Sequence, residues 1–233
     1  MFCQRRLTWA GAEGLRSCTV SEPSFLRTTR AGYDAIAVGY AERFQAELEV
    51  KPLGRAMLTA FAEIVRTGGG GPVADLGSGP GRVTAFLHGL GLGVFGIDLS
   101  PAMVELARKA YPDLQFEEGT MTALNLADNG LSGIVAWYSV IHVPPTQLPA
   151  VFDEFHRVLA PGGHLLLAFQ VGDEPLHLSQ AFGREISLDF HRLMPDRVSK
   201  LLRKTGFTVD ARMIREPNDW EKVPQAHLLA HKA

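Results

Sequence analysis

Cysteine is nearly absent from this chain. Only Cys3 and Cys18 occur in 233 residues, too few for a disulfide scaffold and without the CxxC spacing of a zinc site. No run of about 18 apolar residues is present, so no membrane span is expected. Neither charge sign dominates: 23 Lys and Arg against 25 Asp and Glu leave a net charge of −2, which removes the electrostatic case for nucleic acid as a partner. Internal repeats and low-complexity tracts are missing too. The first twenty residues carry arginines but no apolar stretch of roughly 7–15 residues, so they are not a secretory signal. They show neither a helical nor a strand period. A disordered tail over 1–22 with free thiols is expected, and a start near Val20 is an open alternative. A cytoplasmic location fits these absences.

What is present reads as one α/β domain over 23–233. The stretch Tyr33–Leu48 places Ile36, Tyr40, Phe44 and Leu48 four apart, the spacing of one helical face. A second helix is expected over Pro52–Val65, with Leu53, Met57, Phe61 and Ile64 as its stripe, stopped by the glycine run 68–71. These helices make up a cap over 23–68. Short apolar strands then alternate with helices: Val73–Leu76, Val94–Asp98, Leu114–Gly119, Gly133–Ser139 and His164–Val171 as strands, Arg82–Leu90, Pro101–Ala110 and Thr146–Leu159 as helices. Ser100 and Pro101 have the residue types of an N-cap and first helical position. The segment 172–192 is expected to be a lid or substrate insertion, with a strand over Ser187–Phe190. After a helix at Pro195–Thr205, the strands Phe207–Ile214 and Ala226–Lys232 are joined without a helix, which predicts an antiparallel hairpin. Alternation of this kind specifies a doubly wound, mostly parallel sheet.

Ligands of open α/β sheets sit beyond the carboxyl ends of the strands. The sequence VADLGSGPGRV (73–83) falls there, with glycines at 77, 79 and 81. Such glycines turn the backbone tightly and let it approach a ligand. A triphosphate loop would need GxxxxGK[ST], which is not met, and the GxGxxG of a dinucleotide site fails because Arg82 stands at the third glycine position. Asp98 ends the second strand about twenty residues further on, where a carboxylate accepts both hydroxyls of a ribose. Its competing role is to cap the following helix.

Together with GIDLSPAMVELARK, AWYSVIHVPP and RVLAPGGHLLLAF, this loop resembles class I S-adenosylmethionine-dependent methyltransferases of the small-molecule kind. The resemblance spans most of 70–169. It implies a Rossmann-like seven-stranded sheet of order 3-2-1-4-5-7-6 with the last strand antiparallel, and S-adenosylmethionine as the cofactor. It further implies that the Gly77, Ser78, Gly79 and Gly81 backbone meets the methionine part, that Asp75 fixes the loop or the amino group, that Asp98 holds the ribose and that Leu99 packs on adenine. The acidic residue common after the third strand is missing here; Thr120 and the Met121 backbone stand in its place.

Methyl transfer is an in-line displacement that mainly needs alignment and exclusion of water, with a base for some acceptors. His142 occupies the position that would face the methyl group, and two readings stand: general base, or hydrogen-bonding partner of a neighbouring loop. Tyr138 and Ser139 line the cofactor pocket, or Tyr138 is a sheet residue. Tyr33 and Tyr40 share a helical face; the resemblance implies that they close over the cofactor, with Tyr40 alternatively a packing residue, while Arg43 either pairs with the cofactor carboxylate or is solvated. His177, Phe182, Glu185 and His191 of 172–192 are expected to form the other pocket wall. His156 and His164 carry no functional expectation. No metal site is expected. The partner is a small-molecule substrate, with no membrane or nucleic acid, in a monomer or homodimer. A non-catalytic protein that binds the same cofactor, and a nicotinamide oxidoreductase, are the competing functions.

Overall fold

A computed structural model describes residues 22–233; Cys3, Cys18 and all but the last residue of the expected 1–22 tail lie outside them. Nine strands and seven helices follow one another: α1 (Ser24–Phe44), α2 (Glu47–Val50), α3 (Pro52–Thr67), β1 (Val73–Leu76), α4 (Arg82–Gly89), β2 (Val94–Asp98), α5 (Pro101–Ala110), β3 (Phe116–Glu118), β4 (Leu131–Trp137), α6 (Leu148–Val158), β5 (Leu159–Gln170), β6 (Leu176–Ala181), β7 (Arg184–Phe190), α7 (Pro195–Lys204), β8 (Phe207–Arg215) and β9 (Gln225–Lys232).

Seven strands form one sheet in the order β3-β2-β1-β4-β5-β9-β8. All run parallel except β9, which is antiparallel to both neighbours. This is the expected order, with β8 and β9 as sixth and seventh strands. The strands are apolar on both faces because both faces are covered. Along β4, Ile134 and Ala136 enter the core beneath α6 and α7, while Val135 and Trp137 enter the core beneath α3 and α4. Leu165 and Leu167 on β5 alternate with Leu166 and Ala168 in the same way.

Three expectations are corrected. Helix α1 begins nine residues before Tyr33, at Ser24. In α3 the buried face is Leu58, Phe61, Ala62 and Val65, and Leu53 is exposed. That face still has i, i+3, i+4, i+7 spacing, but sits one residue round from the expected stripe because α3 packs on Val73 and Val135 through Leu58 and Phe61. Third, the 172–192 segment is a complete hairpin, β6 with β7, not a lone strand.

Candidate functional site

The loop after β1 turns on glycines held at positive φ. Gly77 has φ +72°, and a Cβ there would meet Ser139 Cβ at 2.3 Å. Its N–H and that of Ser78 both donate to the Ile97 carbonyl, tying the β1 loop to the end of β2. Gly81, at φ +86°, is the left-handed residue that starts α4, and a Cβ there would meet Phe116 at 2.7 Å. Gly79 is different: no atom lies within 4 Å of where its Cβ would stand, so bare backbone faces open space.

Asp98 closes this cradle. Its Oδ2 accepts from the Gly79 N–H at 2.7 Å and its Oδ1 from the Ser100 N–H at 2.8 Å. Each oxygen keeps a lone pair for a further donor. Burial pushes the carboxyl up to about 6, against those backbone bonds. The capping role falls to Ser100, whose Oγ accepts from the Met103 N–H.

Helix α1 covers the cradle. Ser100 Oγ donates to Asp34 at 2.5 Å, the Ala102 N–H donates to the same carboxylate oxygen at 3.2 Å, and Arg30 Nε donates to the Leu99 carbonyl at 3.2 Å. Beneath the helix lies a partly open cavity. Of the residues expected from the sequence, Gly77, Gly79, Asp98, Leu99, Thr120, Met121, Tyr138, Ser139, Tyr33, Tyr40 and His142 line it.

Asp75, Ser78 and Gly81 do not. Asp75 is fully buried behind the loop, where its Oδ2 accepts from Thr84 Oγ1 at 2.7 Å and burial lifts its carboxyl to about 7. Ser78 Oγ is turned onto Gly96, and Gly81 is enclosed by Phe116 and Tyr111. Arg43 is absent from the lining, in keeping with the solvated reading. The wall expected from His177, Phe182, Glu185 and His191 is also absent. The β6–β7 hairpin lies outside α1, with Leu188 against Gly32 and Phe182 against Gly39, and His177 pairs with Asp189 at the surface.

The hairpin nevertheless reaches the site through its backbone. The Asp189 carbonyl lies 2.9 Å from His142 Nδ1. A carbonyl only accepts, so Nδ1 carries the proton and Nε2 is the bare nitrogen. Tyr33 OH stands 2.7 Å from Nε2 and donates to it. Burial pulls His142 down to about 4 and pushes Tyr33 well above its ordinary value, so both are neutral near pH 7. Phe190 and Tyr33 pack edge-on against the imidazole.

Sequence reasoning missed the upstream half of α1. Leu26, Thr29 and Arg30 line the cavity beside Tyr33. Their signal was helical spacing: extending the helix back from Tyr33 by three, four and seven residues reaches them. Phe25, Met103, Trp137 and Val143 were missed as well. Among the described residues no cluster of three His, Cys, Asp or Glu side chains can hold a metal, and no helix is long and apolar enough to cross a membrane.

A family model described as a methyltransferase domain matches residues 73–163, the segment that carries the cradle, Asp98 and His142. Residues 73–163 of the chain thus carry a methyltransferase domain. The chain is 30% identical over 155 residues to a demethylmenaquinone methyltransferase of Chlorobaculum parvum, covering 66% of this chain and 60% of that protein. It is 37% identical over 128 residues to a trans-aconitate 2-methyltransferase of Escherichia coli, covering 54% of this chain and 48% of that one. The chain thus spans at most about three fifths of these curated relatives' length. Its fold is shared with Burkholderia thailandensis 1,6-didemethyltoxoflavin-N1-methyltransferase, whose structure holds its substrate and S-adenosylhomocysteine (TM-score 0.68, 19% identity, 92% and 93% of the two chains covered).

Proposed function

We propose that the chain transfers a methyl group from S-adenosylmethionine to a small-molecule acceptor. Asp98 carries this reading: a half-buried carboxylate, aimed by two backbone N–H groups, beside backbone left bare at Gly79. The site fits the cofactor's chemistry part by part. Asp98 receives the ribose hydroxyls. Leu99, Ile97, Met103 and Met121 offer apolar sides to a purine, Thr120 offers a hydroxyl at its rim, and Gly77–Gly79 meets the methionine part. All of these but Ser78 line the one cavity. The names of the relatives, one acting on demethylmenaquinone and one on trans-aconitate, support a small organic acceptor.

S-adenosylmethionine supplies a methyl group on a positively charged sulfur, so transfer breaks a carbon–sulfur bond and leaves its electron pair on sulfur. The chain's own residues then have three tasks. Tyr33 and Tyr40, in edge contact 5.7 Å apart, close the cavity from α1 and exclude water. Trp137, Tyr138 and Ser139, at the end of β4, form the wall against which an acceptor is oriented. His142 takes the acceptor's proton through Tyr33: a proton reaching the Tyr33 oxygen displaces the one already shared with Nε2. A base near 4 suffices, because an oxygen that has just gained a methyl group is a far stronger acid than imidazolium.

Calorimetry with S-adenosylmethionine, S-adenosylhomocysteine and NAD tests the donor. The two sulfur compounds are expected to bind and NAD to give no heat; NAD binding with the sulfur compounds silent would overturn the proposal. Release of S-adenosylhomocysteine in the presence of small acceptors separates an enzyme from a protein that only binds the cofactor.

A further inference from the structure

Behind Tyr138, on the far side from Asp98, polar groups collect that the cofactor cradle does not use. The buried imidazole of His227 on β9 has no hydrogen-bond partner at either nitrogen, while the buried Tyr138 hydroxyl has the Arg215 guanidinium beside it. Buried polar atoms are nearly always partnered, so two bare nitrogens on one ring, 6.2 Å from the Tyr138 ring, point to a missing ligand. Trp137 packs on the same imidazole at 4.9 Å. Since Trp137 and Tyr138 also line the main cavity, the two spaces share a wall.

Two cations look onto this group. Lys51 Nζ stands 5.7 Å from the centre of the Tyr138 ring. Arg215 ends β8, close enough to pull the Tyr138 and His227 titrations down. Glu47 holds one side of Lys51 at 2.8 Å, and between the two cations sits a second carboxylate. Glu221 takes both Arg215 guanidinium nitrogens at 2.5 Å and Lys51 Nζ at 3.2 Å. Glu221 belongs to the exposed 216–224 loop, whose neighbouring Trp220 is 69% exposed. No apolar residue of that loop is buried; the Glu221 carboxylate ties its middle to the body of the protein, and the Val171 N–H holds the Pro224 carbonyl at its end. A bidentate arginine fork with a lysine beside it is a site for a planar carboxylate.

Resting on the methyltransferase reading above, we propose that Glu221 is a latch standing where the anionic group of the acceptor binds. When the 216–224 loop lifts, Arg215 and Lys51 receive the carboxylate of a small organic anion. Its apolar body lies on Trp137 and Tyr138, and its polar edge meets Tyr138 OH and His227.

The test uses benzoate and its uncharged counterpart benzamide as probes, titrated into the full chain saturated with S-adenosylhomocysteine. Benzoate is expected to bind and to shift the His227 ring resonances, with benzamide at least tenfold weaker. Glu221→Gln is expected to raise benzoate affinity about tenfold and Arg215→Gln to lower it about tenfold, the scale of one charged hydrogen bond. S-adenosylhomocysteine affinity should stay unchanged in both variants. The double variant Arg215→Gln/Glu221→Gln, which leaves no unpaired charge, checks that any loss is not unfolding. Equal binding of both probes, no response to either substitution, or no benzoate binding even in Glu221→Gln overturns the latch. Failure of S-adenosylhomocysteine to bind the unaltered chain strikes instead at the methyltransferase reading.

Discussion

The two ends of the cavity are built in opposite ways. Around Asp98, the polar partners come from one contiguous stretch: Gly79 is 19 residues away and Ser100 two. Around Tyr138, they come from the cap, the end of β4, the end of β8, a loop and β9, in the persons of Lys51, Tyr138, Arg215, Glu221 and His227. The first end is fixed by strand-to-helix turns that fold locally. The second exists only once the whole sheet and its cap have assembled. A donor site of the first kind is rigid and written in a motif, whereas an acceptor site of the second kind can be rebuilt by changing a few distant residues.

The sharpest break between the two ends is Asp98→Ala. Losing two hydrogen bonds to a charged group, at roughly 1.5–3 kcal/mol each, should cost about 4 kcal/mol, close to a thousandfold in S-adenosylhomocysteine affinity. Benzoate binding at the other end should respond little when its own site is titrated directly. The same carboxyl sets a pH profile. It accepts ribose hydroxyls best when ionised, and burial holds it up to about 6, so affinity should fall by about tenfold per pH unit once pH drops below 6. A flat affinity from pH 7 to 5 would show that Asp98 does not receive the ribose.

A smaller effect probes the junction between the ends, where His142 sits. Its folded pKa, near 4, lies below its ordinary 6.5 because burial disfavours the imidazolium. The unfolded chain therefore takes up the proton first on acidification. The stability His142 contributes is whole above about pH 6.5 and drains away as pH falls toward 4. Between pH 7.5 and 4.5 this amounts to about 2.5 kcal/mol. His227 is depressed in the same direction, while Asp75 and Asp98 are raised and act oppositely. Only the difference between the natural chain and His142→Gln isolates the term. In urea unfolding that difference should shrink by about 2.5 kcal/mol over this interval; a constant difference would place His142 in contact with solvent.

What the sequence reveals follows the same division. The strands β1, β2 and β5, the antiparallel β8–β9 pair and the cradle glycines are legible because each is a short apolar run bounded by its own turn. Asp98 is legible because its distance from the loop is set by one strand–helix–strand unit. The start of α1 is hidden because Thr28, Thr29 and Gly32 are weak helix formers; tertiary contacts with α5 hold that turn. The stripe of α3 is misplaced by one residue because Leu53, Met57 and Leu58 are equally apolar and only the sheet decides between them. The β6–β7 hairpin hides for another reason. Its residues are largely exposed and polar, since one face meets only α1 and the short turn at His142, so no strong alternation marks it. That Asp189 would offer a backbone carbonyl to His142 has no sequence signal at all.

The hairpin supplies the finest test of the comparison, because it presses on the cap without lining the cavity. A Cβ on Gly32 would stand 2.6 Å from the end of the buried Leu188 side chain, whereas one on Gly39 would meet the Cβ of Phe182 at 2.9 Å, an atom that no side-chain rotation moves. Both glycines are helical and gain from alanine by about 0.5–1 kcal/mol in a helix interior. At Gly39 the hairpin turn itself must give by a few tenths of an ångström, which offsets that gain, so Gly39→Ala should be mildly destabilising in a thermal melt without touching His142. At Gly32 the Leu188 side chain must shift within packed surroundings, at about 1–3 kcal/mol, so Gly32→Ala should be net destabilising by about 1 kcal/mol. Leu188 lies one residue from Asp189, so its shift should also loosen the carbonyl bond that fixes the His142 tautomer, and nitrogen chemical shifts of the imidazole report that directly. If Gly32→Ala destabilises while the His142 signals stay unchanged, the hairpin serves the cap alone; if both move, the hairpin is the part of the acceptor end that sets the protonation of its base.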